Sequence, residues 1–263
     1  VYLNSQLRDV EHPADSRVAA VVWSGTASWR ANDSGDRLQG FSVLSRSAEL
    51  KGGAGIYSEL QYKPAGNDDL ISRGNGLVWR TRVLDFWQYY QSPQLGPWKY
   101  YIGGWWLQEG LGGRAFQFET EASYQLTEKL LISGSWTPRW SNDWLVWRED
   151  TLLARYERRQ VDARLNATWF PTPRHELRLK AQWLVIDANR ARAVRIGAGG
   201  RLAPSGDVIP DLSVANFGLQ LRYRFEIAPQ RELYVVYGRG GFELDEDHSR
   251  GVGSLFGDAT SLR

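Results

Sequence analysis

The densest run of groups able to do chemistry is Glu243, Asp245, Glu246, Asp247 and His248. Carboxylates at alternating spacing offer the oxygen ligands that Ca²⁺ takes, which makes Glu243, Asp245 and Asp247 the candidate metal ligands. An Asp beside a His is also a pair that activates water. The competing account, a solvated acidic loop, is the favoured one, and Asp68-Asp69 and Asn32-Asp33 read the same way. His12 and His175 stand alone, so no pair at helical spacing offers zinc a seat, and no serine sits in a nucleophile elbow. The string GVGSLFG (251–257) has the glycines of a nucleotide-binding loop without its Lys or its helix, and a plain loop is expected there. The chain is therefore expected to be no enzyme and to hold no cofactor apart from Ca²⁺ in the acidic loop.

The elements that position these groups are strands. In VANFGLQLRYRFEIAPQRELYVVYGRGG, from Val214 to Gly241, Phe217, Leu219, Leu221, Tyr223 and Phe225 fall on one face and Gln220, Arg222, Arg224 and Glu226 on the other. Period two with one apolar and one charged face is the signature of a strand. About twelve such runs follow one another: 1–10, 17–29, 38–50, 54–62, 77–91, 97–109, 113–126, 129–149, 151–170, 174–188, 214–227 and 230–243. Short connections (51–53, 92–96, 127–128, 171–173, 228–229) alternate with longer or more polar ones (30–37, 63–76, 188–213, 243 onward). The connections near Glu109 to Gly113 and near Asp150 are short where long ones are expected. Strict alternation of short turns and long loops is what an up-and-down outer-membrane barrel requires, whereas a soluble Greek-key sandwich has no reason to keep it.

The polar faces would then line a lumen. Arg80 and Arg82, Glu119 and Glu121, Asp162 and Arg164, Glu176, Arg178 and Lys180, and Arg222, Arg224 and Glu226 are the expected lining residues. A tight turn at Ala228-Pro229 would set Glu226 opposite Arg231. Trp87 and Tyr89 lie beside one short turn, Trp98 and Tyr100 open the next strand, Trp105 and Trp106 lie near its far end, and Trp169 adjoins another short turn. From Trp98 to Trp106 an extended strand covers roughly 27 Å, or about 20 Å of height when tilted, which suits two aromatic girdles flanking an apolar band.

Composition agrees. Thirteen Trp, 12 Tyr and 9 Phe in 263 residues exceed the usual aromatic share. No run approaches the roughly 20 apolar residues of a membrane-spanning helix, so only a closed barrel could cross a bilayer. The mean hydropathy of −0.45 does not oppose this, because only alternate residues would meet lipid. With no Cys there are no disulfides or thiolate metal sites, and a net charge of +2 with dispersed Arg residues gives no polyanion signature. Nucleic-acid binding is not expected, since it would need a basic face with stacking aromatics.

DARLNATWFPTPRHELRLKAQWLVIDA (162–188) and LQLRYRFEIAPQRELYVVYGRGG (219–241), about the last third of the chain, resemble bacterial outer-membrane barrels of unknown function that usually follow a family-nine carbohydrate-binding-like module. The resemblance implies an all-β, antiparallel up-and-down transmembrane β-barrel in the bacterial outer membrane. Residues 1–263 would be a single barrel domain or the C-terminal part of one, a piece of a longer processed polypeptide whose closing strand lies elsewhere. The expected partners are outer-membrane lipid and saccharides or other envelope proteins. Three functions compete: a pore or uptake channel for polar solutes such as saccharides, a surface anchor or assembly subunit with an occupied lumen, and an outer-membrane hydrolase.

Overall fold

The computed structural model describes residues 2–13, 17–246 and 250–255. Fifteen strands form one sheet: β1 (Tyr2–Glu11), β2 (Val18–Ala31), β3 (Arg37–Leu50), β4 (Gly55–Lys63), β5 (Gly66–Asp68), β6 (Val78–Arg80), β7 (Val83–Gln91), β8 (Trp98–Glu109), β9 (Gly113–Thr127), β10 (Leu130–Glu149), β11 (Leu152–Thr172), β12 (His175–Ile196), β13 (Leu202–Pro204), β14 (Leu212–Ala228) and β15 (Arg231–Asp245). Twelve of them make an antiparallel up-and-down path, β1-β2-β3-β4-β7-β8-β9-β10-β11-β12-β14-β15. These are the twelve alternating runs of the sequence, with two differences. Run 77–91 is broken, because 78–80 pairs with 66–68 inside a connection and the wall resumes only at Val83. Run 174–188 continues to Ile196.

Among the described residues β1 pairs only with β2 and β15 only with β14. The sheet between them is curled. Asn67 is paired with Leu38 of β3, and four residues later Ile71 packs against Leu145 of β10, Leu153 of β11 and Val194 of β12. Four residues reach at most about 14 Å. On a flat sheet β3 and β12, seven steps apart along the path, would be separated by about 34 Å. Only curvature brings them together.

The end of the sheet carrying the long connections is built differently from the rest. In β10 a bulge between Ser141 and Trp144 turns Asn142 and Asp143 onto the β8–β9 turn. There Asp143 accepts a hydrogen bond from the Leu111 amide at 2.7 Å, and Asn142 one from the Arg114 amide at 2.7 Å. A Cβ at Gly113 would lie 2.1 Å from that of Asp143, so the bulge and the glycine together allow the turn to be short. Beyond it, β10, β11 and β12 extend as a tongue covered on both faces. Leu145, Leu153 and Val194 pack with Ile71, Ile196 and Leu202, while Ala154, Tyr156, Ala188 and Leu212 pack with Ile209. Full burial of Leu153 and Tyr156 marks these as small protein cores.

Candidate functional site

The paired registers assign every wall residue to a face. From β4 to β14 the row Tyr57, Tyr89, Gly103, Glu119, Thr137, Asp162, Leu184, Asn216 runs across the sheet, and the next row in the same sense is Gly55, Gln91, Tyr101, Glu121, Ser135, Arg164, Gln182, Gly218. The opposite face carries Leu44, Leu60, Phe86, Ile102, Trp106, Phe116, Trp136, Trp140 and Leu165, each more than a third exposed. The polar face is the concave one. Glu109 of β8 meets Arg158 of β11 at 2.9 Å, three strand steps away, which on a flat sheet is about 14 Å.

Most charges on the concave face are paired. Glu176, almost fully buried, contacts Arg178, Arg222 at 3.5 Å and Arg224 at 3.1 Å. Arg224 also reaches Glu232 at 2.7 Å. Glu109 takes Arg139 and Arg158 together, and Asp162 holds Arg164 at 2.9 Å with Gln182 alongside. Asp85 pairs with Lys63 at 3.3 Å and accepts the Gln108 amide at 2.9 Å. A buried carboxylate is tolerable only when ringed by such donors. Between these groups the face remains open: Arg164, Lys180, Asn216 and Gln220 are exposed along it.

The ten expected lining residues from Glu119 to Glu226 therefore share one face. Glu226, however, lies opposite Glu232 rather than Arg231, because a bulge between Glu226 and Ala228, with Gln230 at φ 65°, shifts the register by one. Arg80 and Arg82 are not wall residues at all. Arg80 belongs to β6 in the 64–82 connection, where burial pushes its guanidinium down from the ordinary value while nearby Asp68 and Asp143 oppose the shift. Arg82 is exposed in the link to β7.

The aromatic set divides between the faces. Trp98, Tyr100, Trp106 and Trp169 lie on the apolar side. Trp87, Tyr89 and Trp105 lie on the concave side with Glu59 and Glu119, so they cannot belong to an outward girdle. Parity already carries the reason: adjacent Trp105 and Trp106 must point opposite ways, and closeness to a turn does not override it. The concave rings form one cluster, Tyr57 and Tyr89 stacked at 5.2 Å, Trp87 and Trp105 at 5.1 Å, Tyr89 and Tyr101 at 4.9 Å.

The acidic group is not a loop of open ligands. Glu243 and Asp245 lie within β15 and face Arg250 at 2.6 and 4.0 Å, and Glu246 pairs with Arg148 at 3.1 Å. Asp247 and His248 lie outside the described residues, among which no group of three carboxylates and histidines is placed to hold a metal. Glu243 and Asp245 are thus held in a strand with an arginine beside them rather than left as a solvated loop. Part of the glycine-rich string turns helically at 252–255. It sets Leu255 against Val185, Ala215 and Phe217 on the apolar side, so protein covers that face near the long-connection end.

Comparisons with protein-family models, with curated proteins and with solved structures find no match for this chain.

Proposed function

We propose that the chain forms the wall of a bacterial outer-membrane β-barrel that passes polar solutes through its interior. The observation that carries this reading is the distribution of exposure: the apolar, Trp-rich face is exposed along consecutive strands, and among the described residues no second sheet packs on it. In water a contiguous exposed apolar face marks a surface meant to be covered, and in a bilayer it is the face that lipid covers. Backbone groups would be satisfied strand to strand, as a membrane demands, with the free sides of β1 and β15 closing on each other or on further strands. The companion module of the family that the last third of the sequence resembles makes saccharides one solute class to try.

A second reading, a surface anchor with an occupied lumen, draws on the ion pairs around Glu176 and Glu109, which fill part of the concave face. Planar-bilayer conductance separates the two. A pore should conduct, and replacing Arg222 and Arg224 by Glu should shift its ion preference toward cations. An inserted barrel that stays silent, with its charges unmoved by the substitutions, would leave the anchor.

A further inference from the structure

The concave face is not uniform: its β4–β9 part gathers aromatic rings in mutual contact beside carboxylates. Five aromatic rings there form a continuous surface, and Gly103 makes room for it: a Cβ at that position would lie 3.0 Å from the Tyr89 Cβ and 3.1 Å from the Tyr101 hydroxyl. Tyr101 joins this surface to a cavity of about 390 Å³ that Lys99, Glu119 and Glu121 also line, within the usual range for small-molecule sites. Tyr57 donates to Glu59, and Tyr101 donates to Glu119 at 3.2 Å. Glu121 is exposed and has no ion-pair partner among the described residues. The guanidinium on its register row, Arg164, is held by Asp162 and is attracted by Glu121 only at longer range. With Asp85 paired to Lys63 and Glu109 to Arg139 and Arg158, the remaining Glu59, Glu119 and Glu121 stand against Lys99 and leave this stretch negative, whereas on β12 and β14 the cations Arg178, Lys180, Arg222 and Arg224 outnumber the acids.

We infer that the aromatic surface of β4, β7 and β8, with Glu119 and Glu121 beside it, is a binding site for organic cations of the alkylammonium class. Ring faces attract a cation through their quadrupole, and an alkylammonium brings methyl groups that pack on them. Carboxylates without an ion-pair partner among the described residues add charge attraction for a cation, whereas a neutral sugar would stack on the rings and donate hydroxyls to those oxygens without drawing on their charge. The charge balance therefore decides between the two ligand classes. The inference rests on the reading of the concave face as a hydrated barrel interior.

The test is titration of the purified, detergent-solubilised protein with choline, read by tryptophan fluorescence, with maltose and sodium chloride as controls. Choline should give a saturable change that neither control reproduces. Glu119→Gln with Glu121→Gln should weaken it by about tenfold, the loss of one good cation contact, and Trp87→Phe with Trp105→Phe should remove most of the signal. No saturable change with choline, or an equal response to maltose that survives the Glu→Gln pair, would overturn the site. Circular dichroism of each variant separates misfolding from lost binding. Conductance measured on the same preparation keeps the two readings apart: current without choline binding defeats the site alone, while choline binding without current leaves the site and defeats the pore.

Discussion

The wall of the sheet and the tongue at its long-connection end use the same strands under different rules. Along the wall every residue takes its face by parity, so that Leu179 and Leu221 stand paired on the apolar side while Lys180 and Gln220 stand paired on the polar one. In the tongue, a bulge at 141–144 of β10 and another at Arg190-Ala191 of β12, opposite Tyr156 and with Arg190 at φ 55°, break that parity. Segments 66–82 and 197–211 then cover both of its faces. The difference teaches that alternation persists where both faces of the sheet stay open and lapses where protein covers them. An apolar residue in the wall faces outward; an apolar residue in the tongue faces a neighbour.

The largest expected effects test that contrast directly. Leu153→Ala, at a fully buried position in the tongue, should cost about 2–5 kcal/mol, while Leu165→Ala, on the exposed side of the wall, should stay within about 0.5 kcal/mol. Urea unfolding in detergent measures both, and equal costs would erase the distinction. Next come Leu179→Arg and Leu221→Arg, which near mid-bilayer should each cost about 2–4 kcal/mol and impair insertion into lipid vesicles. If both variants insert and fold as the parent does, that face does not meet lipid. The Arg222 and Arg224 replacements by Glu follow, read as a shift in ion preference rather than in stability.

The smallest expected effect is a pH effect on one clasp. Hydrogen bonds from Arg195 first, and from Ser205 second, hold the Asp207 carboxyl down at about 2, with Arg195 at 2.7 and 2.9 Å. A carboxyl depressed in the folded state stabilises above its ordinary value of about 4 and loses that contribution as pH falls through its lowered one. The 205–211 segment should therefore resist pepsin at about pH 4 and become cleavable as pH falls through about 2, and Asp207→Asn should remove the pH dependence. Cleavage already rapid in the parent at about pH 4 would show that the clasp does not hold the segment.

Much of the wall was legible in the sequence. The alternation at 214–227 and 174–188 placed Leu179, Leu221, Arg178 and Arg222 on their faces, and the turn residues placed the ends. The concave position of Trp87, Tyr89 and Trp105 was equally legible by counting parity, yet proximity to turns pointed the other way. Arg80 and Arg82 were not legible, because run 77–91 alternates straight through the break and only pairing of 78–80 with 66–68 takes them out of the wall. Nor was the arginine beside Glu243 and Asp245, since nothing in their spacing names Arg250 as the partner.

What the sequence alone determined is the local part: which residues are extended, where each strand turns, and which side chains share a face, because a strand's period of two is set by its backbone. What only the tertiary structure decided is which faces become concave and which residues meet across them. The contacts of Glu109 with Arg158, and of Ile71 with the cluster of Leu145, Leu153 and Val194, depend on how far the sheet curls. Curvature is a sum of small twists over many strands, and no single stretch of sequence carries it.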